Sequence, residues 1–309
     1  MRNDDKIKVL YIAGSGRSGS TILNAILGQV DGFFAGSEIR GVWDCGVLEN
    51  RNCGCGERFW HCDVWRPVFQ TAFGGMEGVD ASQMVYYRES LAQTKFLPGM
   101  MRRRDAGPQW TPGMQEFMGN LAKLYRGIQT TTGCRVIVDA SKWPSYGYLL
   151  QALPTIDLHV LHFVRDPRAV AFSWMRQKES APGRWFPRYS PWRTAVYWLM
   201  WELSTDYLWR RPGQKFQLLR YEDFVAYPRQ TVQQVVQFMG EEMGERPFLD
   251  ERTVSLAPTH GVAGNPTRFL TGTVTVKADD EWASRMSGRS QRLVTAVTRP
   301  WLRRYGYAP

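Results

Sequence analysis

The apolar run Ile7 to Ala13 passes directly into Gly14-Ser-Gly-Arg17-Ser-Gly-Ser-Thr21, and this junction constrains the fold more than any other part of the chain. A buried strand that empties into a glycine loop and then a helix is the opening unit of an α/β domain. The loop meets the Walker spacing at Gly14, Gly19 and Thr21, yet Ser20 stands where an NTPase carries its lysine. Arg17 is the only strong cation in the loop. Glycines permit close backbone approach, the amides after Gly16 converge on one spot, and a helix expected from Ser18 to Val30 adds its positive end. An anion is expected there. Because the loop lacks the apparatus for a magnesium-bound γ-phosphate, the expected ligand is a phosphate-like group handled without metal.

Five further segments carry chemistry. The apolar run Leu158 to Val164 ends in Arg165-Asp166-Pro167, and Asp166 as N-cap with Pro167 at the first helical position predicts a helix starting just after Arg165. Ser173 then falls about two turns along, where its hydroxyl and the Arg165 guanidinium can meet on one phosphate. Gly36-Ser37-Glu38-Ile39-Arg40 follows the first helix after a turn at Asp31-Gly32, far enough on for a return loop to bring the Glu38 carboxylate back over the glycine loop. Val136 to Lys142 reads as a buried strand emptying into polar residues, which places Lys142 at the crevice edge of an open sheet. Lys215 to Tyr221 reads as another strand entering a helix, and His260 to Phe269 as a glycine- and proline-bearing loop that contains Arg268.

Together these segments resemble the PAPS-dependent sulfotransferases, above all their bacterial members. Gly16-Arg17-Ser18-Gly19-Ser20-Thr21 is similar to the loop that holds the 5′-phosphosulfate of 3′-phosphoadenosine 5′-phosphosulfate (PAPS), and Arg165 with Ser173 is similar to the 3′-phosphate motif. The resemblance implies that Glu38 is the general base, as in tyrosylprotein and many bacterial sulfotransferases, and that Lys142 approaches the sulfuryl group. It also implies that Tyr221 and Arg268 contact the nucleotide. None of the four histidines offers a counterpart to the histidine base of the cytosolic enzymes. The implied fold is α/β and P-loop-like: three layers, with a central, mostly parallel sheet flanked by helices. The implied reaction moves a sulfuryl group from PAPS to a hydroxyl of a small-molecule, carbohydrate or lipid acceptor, with no metal. Two other readings of the same loop are a small-molecule kinase, against which Ser20 stands, and a catalytically silent nucleotide-binding adaptor.

With 309 residues, 43% of them apolar, the chain can bury a large core, and motifs spread from Gly14 to Arg268 point to one domain over 1–309. Its net charge of 39 − 29 = +10 favours anionic ligands. The basic residues are dispersed, and Asp105 offsets the cluster Arg102-Arg103-Arg104, which argues against nucleic acid. With no signal-like or membrane-spanning apolar run, a soluble cytoplasmic protein is expected. Amphipathic helices are expected at Met114 to Ile128 and at Trp192 to Trp209, the latter burying Val196, Leu199, Met200 and Leu203. The aromatic run Trp185, Phe186, Tyr189, Trp192, Tyr197, Trp198 and Trp201 reads first as ordinary helix packing and second as an acceptor pocket. Cys45, Cys53, Cys55 and Cys62 crowd together near His61, but Cys-x-Cys is not the usual spacing of a structural zinc site. Reduced thiols are the first expectation, with a disulfide or a zinc knuckle as alternatives. A similar cysteine segment occurs in the bacterial sulfotransferases that the chain resembles.

Overall fold

A computed structural model describes residues 6–105, 110–177, 179–181, 183–244 and 246–308. Five parallel strands, β1 (Ile7–Ala13), β2 (Phe33–Ala35), β3 (Val136–Lys142), β4 (Ile156–Val164) and β7 (Phe216–Arg220), form one sheet in the order β2-β3-β1-β4-β7. Two antiparallel hairpins lie apart from it: β5 (Glu179–Ala181) with β6 (Arg184–Trp185), and β8 (Thr253–Leu256) with β9 (Gly272–Thr275). Both faces of the sheet are covered, so its strands are apolar on both sides. Val9, Tyr11, Ile137 and Val160 pack into one core with the helices Pro112–Thr132 and Pro144–Ala152. Leu10, Ile12, Val138 and Leu161 pack into the other, with the helices Ser20–Leu27 and Pro228–Phe238. This is the α/β, P-loop-like layered architecture expected from the sequence.

Three local differences from the sequence reading bear on the site. The first helix spans Ser20–Leu27, shorter than Ser18 to Val30, because Arg17 (φ 69°) and Gly19 (φ 86°) adopt left-handed backbone that holds the loop open until Ser20. Strand β2, inside a stretch that reads as loop, pairs with β3 through Phe33, Phe34 and Ala35. The register of β1 on β3 then slips between Tyr11↔Asp139 and Ala13↔Lys142, so β3 carries one extra residue at its carboxyl end. Such a bulge re-aims the side chain that follows it. Lys142, with φ 69°, is that residue.

The helix Pro191–Trp209 corrects a second expectation. Val196 and Met200 are each 37% exposed, whereas Trp198, Glu202, Thr205, Asp206 and Trp209 face inward. A polar partner on β4, His162, claims this face: its Nε2 lies 2.5 Å from Glu202 Oε2 and its Nδ1 lies 3.2 Å from Asp206 Oδ1. Two buried carboxylates flank the imidazole, Glu202 hydrogen-bonded to it and Asp206 at ion-pair distance, where an apolar stripe was expected.

Candidate functional site

Loops leaving the carboxyl ends of β1, β2, β3, β4 and β7 open into a cleft of about 970 Å³. Strand order reverses direction about β1, and open α/β sheets place their ligand crevice at such a point. The cleft is lined by Gly16, Arg17, Gly19, Ser20, Thr21, Glu38, Lys142, Arg165, Ser173, Tyr221 and Arg268, which include all but one of the residues given a cofactor or catalytic role from sequence. The exception, Ser18, is buried beneath the loop.

The glycine loop is fixed from below. Gly14 has φ 122°, and a Cβ there would sit 2.6 Å from the Phe163 carbonyl, so only glycine fits. The Ser15 backbone N–H donates to Glu202 Oε1 at 3.0 Å, which ties the loop to the buried His162 pair. A Cβ on Gly19 would meet the Tyr221 ring at 2.7 Å. Arg17 lies between two aromatic rings, 4.7 Å from the Trp174 centroid and 4.1 Å from that of Phe186. Burial lowers the pKa of its guanidinium, with the Glu38 carboxylate opposing and Arg176 adding to the shift.

Glu38 and Lys142 are joined by an ion pair of 2.6 Å, and Lys142 Nζ also donates to the Ala140 carbonyl at 2.9 Å. The segment carrying Glu38 is clamped to the end of β3. Ala140 N–H donates to the Ser37 carbonyl at 2.7 Å, Arg40 N–H to Ser141 Oγ at 2.9 Å, and Ile39 N–H to Asp139 Oδ1 at 3.3 Å. Asp139 is fully buried and also accepts from the Tyr125 hydroxyl at 2.5 Å and from Ser141 N–H at 2.8 Å. Burial raises its pKa to about 6 against the opposing pull of these hydrogen bonds. Its role here is to hold the Glu38 segment in place. Arg40, two residues on, pairs with Glu89 at 3.3 Å and stacks over Trp143 at 4.1 Å.

At the other side of the cleft, Asp166 caps the helix Pro167–Met175 by accepting from Arg168 N–H at 2.8 Å. Arg165 Nη1 donates to the Arg17 carbonyl at 3.1 Å and Nη2 to the Asp279 carbonyl at 2.6 Å, with the Tyr221 ring 4.3 Å away. Ser173 is buried one face along that helix. Arg268 reaches in from the 3-10 turn Pro266–Phe269 and donates to the Asn52 carbonyl at 3.1 Å. The Nε atoms of Arg17, Arg165 and Arg268 are buried and have no hydrogen-bond partner among the described residues, which fits a ligand that brings several anionic oxygens.

Sequence reading missed part of the lining. Trp185, Phe186, Tyr189, Tyr197, Trp198 and Trp201 all line the cleft, so the packing interpretation of that run holds only in part. Trp198 combines both roles, donating its indole N–H to the Arg165 carbonyl at 3.1 Å, while Trp192 is 57% exposed and outside the lining. Arg51, Lys95 and Asp279 also line the cleft, and nothing in their local sequence marked them. Among the described residues no histidine does.

A five-stranded parallel sheet with a lysine-free glycine loop, and a cleft that arginines enter from three separate loops, defines an α/β fold of the P-loop type. Residues 10–245 match the profile of the sulfotransferase family, and the chain belongs to that family and is a transferase by that membership. Among solved structures it is similar to the sulfotransferase domain from the curacin biosynthetic pathway, at 18% identity and a TM-score of 0.52, covering 94% of this chain and 98% of that one. It is likewise similar to the sulfotransferase domain of the Synechococcus PCC 7002 olefin synthase, at 19% identity and a TM-score of 0.50, covering 96% and 97%. No curated protein matches. Among the described residues, no helix is long and apolar enough to cross a membrane.

Proposed function

We infer that this protein transfers a sulfuryl group from PAPS to an acceptor hydroxyl, acting as one domain over 1–309. The observation that carries this reading is the Glu38–Lys142 pair at 2.6 Å, in the same cleft as the Arg17 loop. In the proposed reaction the acceptor oxygen attacks sulfur in line with the bond to the 5′-phosphate, that bond breaks, and Glu38 Oε takes the acceptor proton. Arg17, the loop amides and the start of the Ser20–Leu27 helix stabilise charge on the equatorial oxygens and the departing 5′-phosphate. Lys142 holds Glu38 in position and stands beside the sulfuryl oxygens. Arg165 and Ser173 grip the 3′-phosphate, Arg268 adds a second cation there, and Tyr221 flanks the nucleotide. The aromatic lining from Trp185 to Trp201 suits an acceptor with an apolar body and one hydroxyl, a small molecule, glycan or lipid. No step needs a metal.

Calorimetry with adenosine 3′,5′-bisphosphate against AMP tests the cofactor assignment. Losing a charge-assisted contact costs about 1.5–3 kcal/mol, so the bisphosphate should bind at least about tenfold more tightly, and the preference should vanish in Arg165→Ala. Equal affinities in the native protein would remove the basis for PAPS and favour the kinase or adaptor readings.

A further inference from the structure

The cysteines close to Cys53 meet a partner from far along the chain. Cys53, Cys55 and Cys62 converge with His260, and the four ligand atoms lie within 4.8 Å of one another. Cys62 Sγ is 3.6 Å from Cys53 Sγ and 3.8 Å from Cys55 Sγ, while His260 Nδ1 is 3.2 Å from Cys62 Sγ and 3.8 Å from Cys53 Sγ. Around a tetrahedral zinc with bonds of about 2.3 Å to sulfur and about 2.0 Å to nitrogen, the ligand edges are about 3.8 Å between sulfurs and about 3.5 Å from sulfur to nitrogen. The distances match those edges, and they are far beyond the ~2.05 Å of a disulfide.

We propose that Cys53, Cys55, Cys62 and His260 form a structural zinc site. Cys-x-Cys spacing alone argues against a conventional finger, because the fourth ligand enters from a loop almost two hundred residues later and only the fold supplies it. Binding displaces the thiol protons and takes His260 as a neutral imidazole through Nδ1, leaving zinc with three thiolates and one net negative charge. All four positions are filled by protein, and none of the four residues lines the catalytic cleft, so the site is structural. Its loops are already in close contact. Gly54 N–H donates to the Gly261 carbonyl at 2.9 Å, Trp65 Nε1 donates to the His260 carbonyl at 2.8 Å, and a Cβ on Gly54 would collide with the Thr259 carbonyl at 2.5 Å. The zinc would staple the segment 53–62 to the loop that delivers Gly264 and Arg268.

The test is elemental analysis of the purified full-length chain, backed by visible spectroscopy after cobalt(II) exchange. Roughly one zinc per chain is expected, with the sulfur-to-metal charge-transfer absorption of a tetrahedral cobalt thiolate site. In the double variant Cys55→Ser/Cys62→Ser zinc should fall to less than about a tenth of that, Cys134→Ser should keep it, and His260→Cys should keep it with a cobalt spectrum shifted toward four sulfurs. Wild-type protein that stays free of zinc after reduction and incubation with the metal would overturn the proposal whether or not the variants fold. Mass spectrometry finding a disulfide among the three cysteines in the freshly isolated chain, or full zinc retention by the double variant, would do the same.

Discussion

In the proposed mechanism Glu38 is the residue on which the chemistry turns. Its carboxylate sits at the mouth of the cleft because three backbone hydrogen bonds seat residues 37–40 on the end of β3, and because the bulge there turns Lys142 toward it. General-base help is worth about 10²- to 10⁴-fold, so Glu38→Gln should lower kcat by that order. In the proposed reaction Arg17, Arg165 and Ser173 grip the nucleotide, so affinity for adenosine 3′,5′-bisphosphate should stay the same or rise slightly as a negative charge leaves the cleft. Turnover rates and calorimetry on one preparation decide it: full activity, or joint loss of binding and activity, would assign Glu38 to scaffolding. Lys142→Met separates the two roles of the pair, since it removes the tether while leaving the carboxylate. Here kcat should fall while affinity for adenosine 3′,5′-bisphosphate is kept, which turnover rates and calorimetry check together.

At the scale of the element, the helix Pro191–Trp209 anchors the phosphate loop. Glu202 and Asp206 enclose His162, and Glu202 also accepts the Ser15 amide, while Asp206 is held from outside by Arg304 at 2.7 Å. Burial alone would depress the His162 pKa, but hydrogen bonds and the charges of Asp206 and Glu202 outweigh it and raise it above its ordinary value. A raised histidine pKa contributes stability that is present in full below the unfolded value of about 6.5 and is lost as pH rises through the folded one. Glu202→Gln keeps an acceptor for Ser15 but removes the charge. The cost should be about 3 kcal/mol near pH 6, as for other broken buried pairs, and distinctly smaller toward pH 9. Denaturant melts at the two pH values measure it, and a pH-independent loss would mean that His162 is neutral in the folded protein.

At the scale of the whole molecule, cations converge on one cleft from loops far apart in sequence: Arg17 after β1, Lys142 after β3, Arg165 after β4 and Arg268 near the β8–β9 hairpin. With so many fixed cations, transfer should continue when magnesium is removed by EDTA and should not accelerate when it is returned. Sulfate transfer from labelled PAPS, with and without each addition, checks this; restoration by magnesium would favour a phosphoryl-transfer enzyme. The positions of β1, β3, β4 and β7 and of the glycine loop were legible in the sequence because they depend on short-range signals: apolar runs, glycines at close backbone approaches, and Asp166-Pro167 opening a helix. The buried face of the helix Pro191–Trp209 was not legible, since periodicity assumes that an inward face is apolar and cannot register a histidine on another strand. The same holds for Arg51, Lys95 and Asp279 in the cleft, and for His260 beside three cysteines. By itself the sequence determined the layered parallel sheet, the glycine loop and the presence of Arg17, Glu38, Lys142, Arg165 and Arg268 in the cleft. Only the tertiary structure decided that Glu38 pairs with Lys142 instead of Arg40, that Glu202 anchors the loop from beneath, and that His260 completes the cysteine cluster, because each is a contact between groups whose separation along the chain carries no local signal.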